Sequence, residues 1–298
     1  MLARQPANHG GRRTVTAWPP VELPASQLRR VRAAANGADY RVSLWLPDGP
    51  PPANGFPAIY VLDAGALFAT FVEAIRRGNR RVDATGVAPM AVIGIGHDAD
   101  ELFANRLRRR DYTWGPAAQE APPDDGPVGG GPAFLHFLVD ELAPALRQEL
   151  PLDGTRQTLF GHSLAGQFVL QALAARPEAF RTWAAISPSI WWDAAGLKAR
   201  LATTLPSTRT PNVFMAVGEW EGAVPPWQRA HPGHDLLVAR RAQRDMVGHA
   251  QALAQDMAAW LGPDRAAFRI FEDEDHASVV MVGCQRTLRF ATARNQAM

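Results

Sequence analysis

One serine in this sequence stands where a hydroxyl could be made reactive. In Thr158-Leu159-Phe160-Gly161-His162-Ser163-Leu164-Ala165-Gly166 a short apolar run ends at Gly161, and Leu164, Phe168, Leu170 and Leu173 begin an amphipathic helix at once. A serine on so tight a strand-to-helix turn has its hydroxyl held clear of the sheet, the arrangement of a nucleophile elbow. Glycines flank it because the turn strains the backbone and brings helix against strand with little room for a Cβ. The helix start aims free amides and the positive end of its dipole at any oxyanion forming there. The spacing departs from Gly-x-Ser-x-Gly: Ala165 takes the second glycine's place, and Gly166 follows it. Alanine is the smallest possible intrusion, so the departure reads as tolerated. A hydroxyl is a poor nucleophile without a base, which calls for a histidine. Eight are available: His9, His97, His136, His162, His231, His234, His249 and His276.

The elements that must position these groups follow from periodicity. Apolar strand-like runs fall at 58–62, 90–95, 157–160, 182–186, 213–217 and 268–271. Helical patterns alternate with them at 67–77, 134–150, 164–175, 194–203, 239–260 and 279–291. This alternation predicts an α/β protein with a mostly parallel central sheet and helices on both faces. Segments 28–35 and 40–46 read as an antiparallel meander leading into it. The Pro/Gly-rich stretch 48–57 reads as a hairpin connection between strands 41–46 and 58–62. The longer stretch, 115–132, reads as a functional lid or a disordered loop. The element order is that of the α/β-hydrolase fold. We therefore expect a single catalytic domain over 26–298 behind a flexible segment, 1–25.

In that fold the partners follow the nucleophile in the order serine, acid, histidine. The histidine stands just after the last strand. Only His276, in the loop Glu272-Asp273-Glu274-Asp275-His276, meets that requirement. The acid should leave the preceding strand, where Gly218-Glu219-Trp220-Glu221-Gly222 follows. Counting from the strand-ending glycine selects Glu221, with Glu219 as runner-up, while Asp273 and Asp275 read as solvated loop charges. The acid would hold the His276 tautomer and stabilise its imidazolium. Backbone amides of Leu164 and of Ala64 or Gly65 would form the oxyanion hole. His162 reads as structural. His97 follows a strand and is placed to touch a substrate, and Trp191 and Trp192 fall at the same rim, as an aromatic wall or as core. His231 and His234 have H-x-x-H spacing but no third ligand nearby, so no metal site is expected.

Composition closes several doors. The 298 residues carry 31 basic and 29 acidic side chains, a formal charge of +2. A nucleic-acid surface normally concentrates a marked basic excess, so that class is excluded. Lys198 is the only lysine; nearly every cation is an arginine, which reads as composition bias. The single cysteine, Cys284, rules out a disulfide framework and a thiol metal cluster. No apolar run approaches the roughly 20 residues of a membrane-spanning helix. No secretory h-region follows the N-terminus. A cytoplasmic protein with no cofactor and no membrane partner is the default expectation.

Over residues 39–290 the chain resembles the esterase branch of the α/β hydrolases that includes the enterochelin esterases and related siderophore hydrolases. The resemblance rests on Tyr60-Val61-Leu62-Asp63, Arg110-Asp111-Tyr112-Thr113, and the run from Gly130 to Phe137 with Glu141-Leu142. It continues through Phe160-Gly161-His162-Ser163, Ser187-Pro188-Ser189-Ile190-Trp191-Trp192, Gly218-Glu219 and His276. It implies a serine esterase with Ser163 as nucleophile and His276 as general base, and it leaves the acid open. The implied substrate is a small-molecule ester, an iron-siderophore lactone among the candidates. Members of that branch often have glycine where this chain has Ala64, and proline where it has Trp114. Within Asn105-Arg106-Leu107-Arg108-Arg109-Arg110-Asp111, Arg110 is the candidate to line the site toward a charged catecholate; the other arginines read as a solvated face. An acyltransferase using the same Ser-His-Glu triad and a catalytically dead binding module are the rival readings.

Overall fold

The computed structural model describes residues 18–117, 126–208 and 211–296. Most of the expected N-terminal segment, 1–17, and part of the long loop, 118–125, lie outside the described residues. Eight strands form one sheet: β1 (Ser26–Arg32), β2 (Asp39–Trp45), β3 (Phe56–Leu62), β4 (Ala91–His97), β5 (Leu152–His162), β6 (Thr182–Ile186), β7 (Asn212–Gly218) and β8 (Ala266–Phe271). Their order is β1-β2-β4-β3-β5-β6-β7-β8. Strands β3 to β8 pair in parallel, and β1 and β2 are antiparallel to their neighbours. The helices are α1 (Ala64–Gly78), α2 (Val82–Thr85), α3 (Asn105–Tyr112), α4 (Gly131–His136), α5 (Ala143–Glu149), α6 (Leu164–Ala175), α7 (Ala194–Thr204), α8 (His234–Arg244), α9 (Met246–Leu261) and α10 (Val279–Gln296). A π-helical stretch, Phe137–Leu142, joins α4 to α5. Among the described residues no helix is long and apolar enough to cross a membrane.

Alternation along the parallel strands divides the core into two layers. Tyr60, Leu62, Leu159, Trp183, Met215 and Val217 face the layer built with α6, α7 and α9. Their neighbours Ile59, Val61, Phe160, Ile186, Phe214 and Ala216 face α1 and α10. Strands buried on both faces must be apolar at every position, which is why these runs are continuous rather than alternating.

Two expectations are corrected. The stretch at 48–57 is a crossover rather than a hairpin, because β4 inserts between β2 and β3: Tyr40 pairs with His97 and Ala58 with Ala91. Two strand spacings amount to roughly 10 Å, which a loop of this length spans easily. The expected helix 239–260 is two helices that meet at Asp245. That residue is left-handed, at φ 38°, and its Oδ1 accepts a hydrogen bond from Gly248 N at 3.1 Å. Aspartate visits this region more readily than most residues and caps a new helix with its side chain. Beyond the break α9 buries Met246, Ala250, Leu253 and Met257, whereas α8 buries no residue.

Candidate active site

Ser163 lies between β5 and α6 at φ 59° and ψ −120°, a conformation few side-chain-bearing residues adopt. Backbone hydrogen bonds pin it there. Its N–H donates to Ile186 O at 2.9 Å, and its carbonyl accepts from Gln167 N at 3.0 Å and Ser189 N at 3.1 Å. A Cβ on Gly161 would fall 2.3 Å from Ala165 O, and one on Gly166 3.1 Å from Ile186 O. Helix and sheet therefore meet through backbone, most tightly where Gly161 faces the Ala165 carbonyl and again at Gly166. Ala165 is fully buried in the core layer, so its methyl group is accommodated.

His276 leaves β8 and reaches back to the elbow. Its Nε2 is 3.0 Å from Ser163 Oγ, and its Nδ1 is 2.8 Å from Glu221 Oε2. Glu221 is buried at the end of a single 3₁₀ turn behind β7. Its other oxygen, Oε1, accepts from Ser187 Oγ at 2.5 Å and Gly218 N at 2.7 Å. Glu219 does not reach the histidine: its Oε2 accepts from Asp273 N at 2.9 Å, tying down the loop that carries His276. Trp220 N donates to Glu274 O at 3.0 Å, and a Cβ on Gly218 would fall 2.4 Å from that same oxygen, so the two loops touch where only glycine fits. Asp275 is not a solvated charge. Its Oδ1 accepts from Ala277 N at 2.8 Å and Ser278 N at 2.9 Å as the chain turns into α10, and the Ser278 amide leads in holding its carboxyl below the usual range.

His162 has a definite task that spacing did not disclose. Its Nε2 lies 2.9 Å from the carbonyl oxygen of His276, and the two rings are 4.7 Å apart. A carbonyl only accepts, so the Nε2 carries the proton. Burial, followed by the neighbouring His276 and Arg108, pushes the His162 pKa down to about 3. The ring stays neutral and braces the backbone of His276 from below.

Leu164 opens α6, and Ala64 and Gly65 open α1, so all three amides are among those a helix leaves unpaired. The pairing of Val61 with Phe160 sets the start of α1 beside the elbow. Ala64 and Gly65 line a separate cavity of about 220 Å³, together with Asp63 and His97.

The cavity that holds Ser163 and His276 measures about 290 Å³. Trp191, Trp220 and Met246 form apolar walls, and α8 contributes Arg240, Arg241 and Arg244. Of the side chains expected there, Trp191 lines it and Arg110, His97 and Trp192 do not. Asp111 holds the first two: Arg110 Nε and Nη2 each donate to it at 2.7 Å, and His97 Nε2 lies 3.1 Å away. Burial alone would raise the Asp111 pKa, but Arg110 and His97 more than offset it and hold the carboxyl below its ordinary range. Trp192 is buried and donates from Nε1 to Gly115 O at 3.0 Å. Arg108, expected on a solvated face, is buried and forks onto Asp63 at 2.9 and 3.0 Å. The motif arginines and aspartates thus brace α3 against the ends of β3 and β4. The α8 arginines were missed, although the segment read as helix 239–260 already placed three of them within two turns.

Comparison with known proteins finds esterases. The model of the family described as "Putative esterase" matches residues 33–255. The chain is 34% identical to the ferri-bacillibactin esterase BesA of Bacillus subtilis, over 90% of each chain. It is 32% identical to the siderophore triacetylfusarinine C esterase of Aspergillus fumigatus, over 78% of this chain and 80% of that one. The crystal structure of the BES protein from Bacillus cereus superposes with a TM-score of 0.77 at 28% identity, over 93% of this chain and 98% of that one.

Proposed function

We infer that this chain, which belongs to that esterase family and is a carboxylic ester hydrolase, cleaves siderophore esters through an acyl-enzyme on Ser163. The observation that carries the chemistry is the unbroken chain Glu221 Oε2–His276 Nδ1 at 2.8 Å and His276 Nε2–Ser163 Oγ at 3.0 Å, at the wall of an open cavity. His276 takes the hydroxyl proton as Ser163 Oγ attacks the ester carbonyl. The oxyanion that forms meets the Leu164 amide, with Ala64 or Gly65 as second donor. Collapse expels the alcohol, which receives the proton from His276, and a water repeats the cycle on the acyl-serine. Glu221 keeps the histidine in the tautomer whose Nε2 is free to accept. The siderophore assignment is supported by the two relatives above, whose names both specify such esters.

Ser163→Ala should abolish turnover of a p-nitrophenyl ester while leaving Tm unchanged, and a fluorophosphonate should label the unaltered protein stoichiometrically. Activity retained in that variant overturns the mechanism. A panel of trilactone siderophores beside simple aryl esters checks the substrate class: kcat/KM for the siderophores should be clearly the higher, and equal values overturn the assignment.

A further inference from the structure

Arg240 and Arg244 stand one turn apart on α8, both in the wall of the cavity that holds Ser163. Among the described residues neither has a carboxylate within ion-pair distance. Elsewhere Arg108 meets Asp63, Arg110 meets Asp111 and Arg156 meets Asp153. Arg241, between them in sequence, is spent on the wall, donating to Trp220 O at 3.1 Å and Gln228 Oε1 at 3.0 Å. The one carboxylate in the cavity wall, Glu221, already accepts from His276, Ser187 and Gly218. Asp245, next along the chain, turns away to cap α9. Arg244 lies over an aromatic surface, its Cζ 4.5 Å from the centre of the Trp191 ring. Burial, and then the like charge of Arg240, push its pKa below the ordinary value.

Like charges one turn apart repel, and Arg244, half-buried where Arg240 is exposed, is a cation partly withdrawn from water with no carboxylate beside it among the described residues, which is costly. Here the missing negative charge falls in the same cavity as the nucleophile. We propose that Arg240 and Arg244 are the specificity-determining residues of this esterase, and that they select esters carrying fixed negative charge close to the scissile bond. Trp191, already stacked on one of the two guanidinium groups, offers its ring to a flat aromatic part of the same substrate. The proposal rests on the siderophore reading above and narrows it by charge. One ferric ion with three catecholate dianions leaves a net charge of −3, whereas three hydroxamate monoanions leave a neutral complex. Metal-free catechols are protonated at neutral pH and carry no such charge. The arginine pair favours the first of these three.

The test compares the unaltered protein with Arg240→Gln/Arg244→Gln and with Arg240→Lys/Arg244→Lys, each checked for an unchanged Tm. Two substrate pairs are used at low salt: an anionic and a neutral p-nitrophenyl ester, and a ferric tris-catecholate lactone beside a ferric tris-hydroxamate ester. In the glutamine variant the ratio of kcat/KM, anionic over neutral, should fall by at least about 10-fold in both pairs, mostly through KM. The lysine variant should recover part of that ratio. Added salt should erode the preference of the unaltered protein, because screening weakens it. An unchanged ratio in the glutamine variant overturns the proposal, even if both siderophores are hydrolysed and the substrate class stands. Conversely, a ratio that collapses for the aryl esters while neither siderophore is turned over sustains the arginine pair and removes the siderophore reading.

Discussion

Two glutamates stand two residues apart behind β7, and only one touches the histidine. Glu221 Oε2 sits on His276 Nδ1 at 2.8 Å, whereas Glu219 Oε2 accepts from the amide of Asp273. Loss of a triad acid can lower kcat by about 10⁴ by freeing the wrong imidazole tautomer. Glu221→Gln should therefore lower kcat at least about 10²-fold with KM little changed, and Glu219→Gln should do far less. Steady-state kinetics on one aryl ester decides it; reversed effects would make Glu219 the acid, and two small ones a Ser163–His276 dyad. Ser163, Glu221 and His276 were legible because chain order and strand ends leave few positions for each. His162 and Arg108 were not. Their partners, the His276 carbonyl and Asp63, are 114 and 45 positions away, and no local pattern encodes such a meeting.

At the scale of elements, the elbow explains how the motif tolerates alanine. Helix and sheet meet through backbone, Gly161 against the Ala165 carbonyl and Gly166 against Ile186 O, while the Ala165 methyl group is packed in the core layer. Ala165→Gly should then keep kcat/KM within a few-fold while costing about 1 kcal/mol of stability, through lost packing and helix propensity. Chemical denaturation and a rate assay on the same variant separate the two quantities; a large rate loss would show that the methyl group positions Ser163. The same scale marks where periodicity stopped being informative. It found the strands and most helices, but it said nothing of β4 inserting beside β2, since strand order is set by sheet closure rather than by the loop. It also ran through Asp245, because a left-handed aspartate interrupts a helix without interrupting its apolar spacing.

For the molecule as a whole, a buried neutral histidine links stability to pH. The folded chain refuses a proton at His162 until about pH 3, whereas the unfolded chain takes it up near pH 6.5. Stability is therefore full above about 6.5 and is lost as pH falls through that window, by about 2 kcal/mol at pH 5. Denaturant titrations at pH 7 and pH 5 should show that loss in the unaltered protein and a smaller one in His162→Gln, whose amide can still donate to the His276 carbonyl. Equal losses would assign the acid sensitivity elsewhere. The cavity belongs to this scale too. Its positive wall is assembled only when α8 folds over the ends of the strands, which is why Arg240, Arg241 and Arg244 on one helix gave no sign of the cavity they line.

That helix gives nothing to either core layer: it buries no residue, and Leu236 and Val238 face water. Exchanges at exposed positions of this kind usually shift stability by no more than about 0.5 kcal/mol. Descendants of this sequence are thus free to try new surfaces at 234–244 while Ser163, Glu221, His276 and their sheet are inherited unchanged. Diversification of diet, in such a lineage, would be written first in α8.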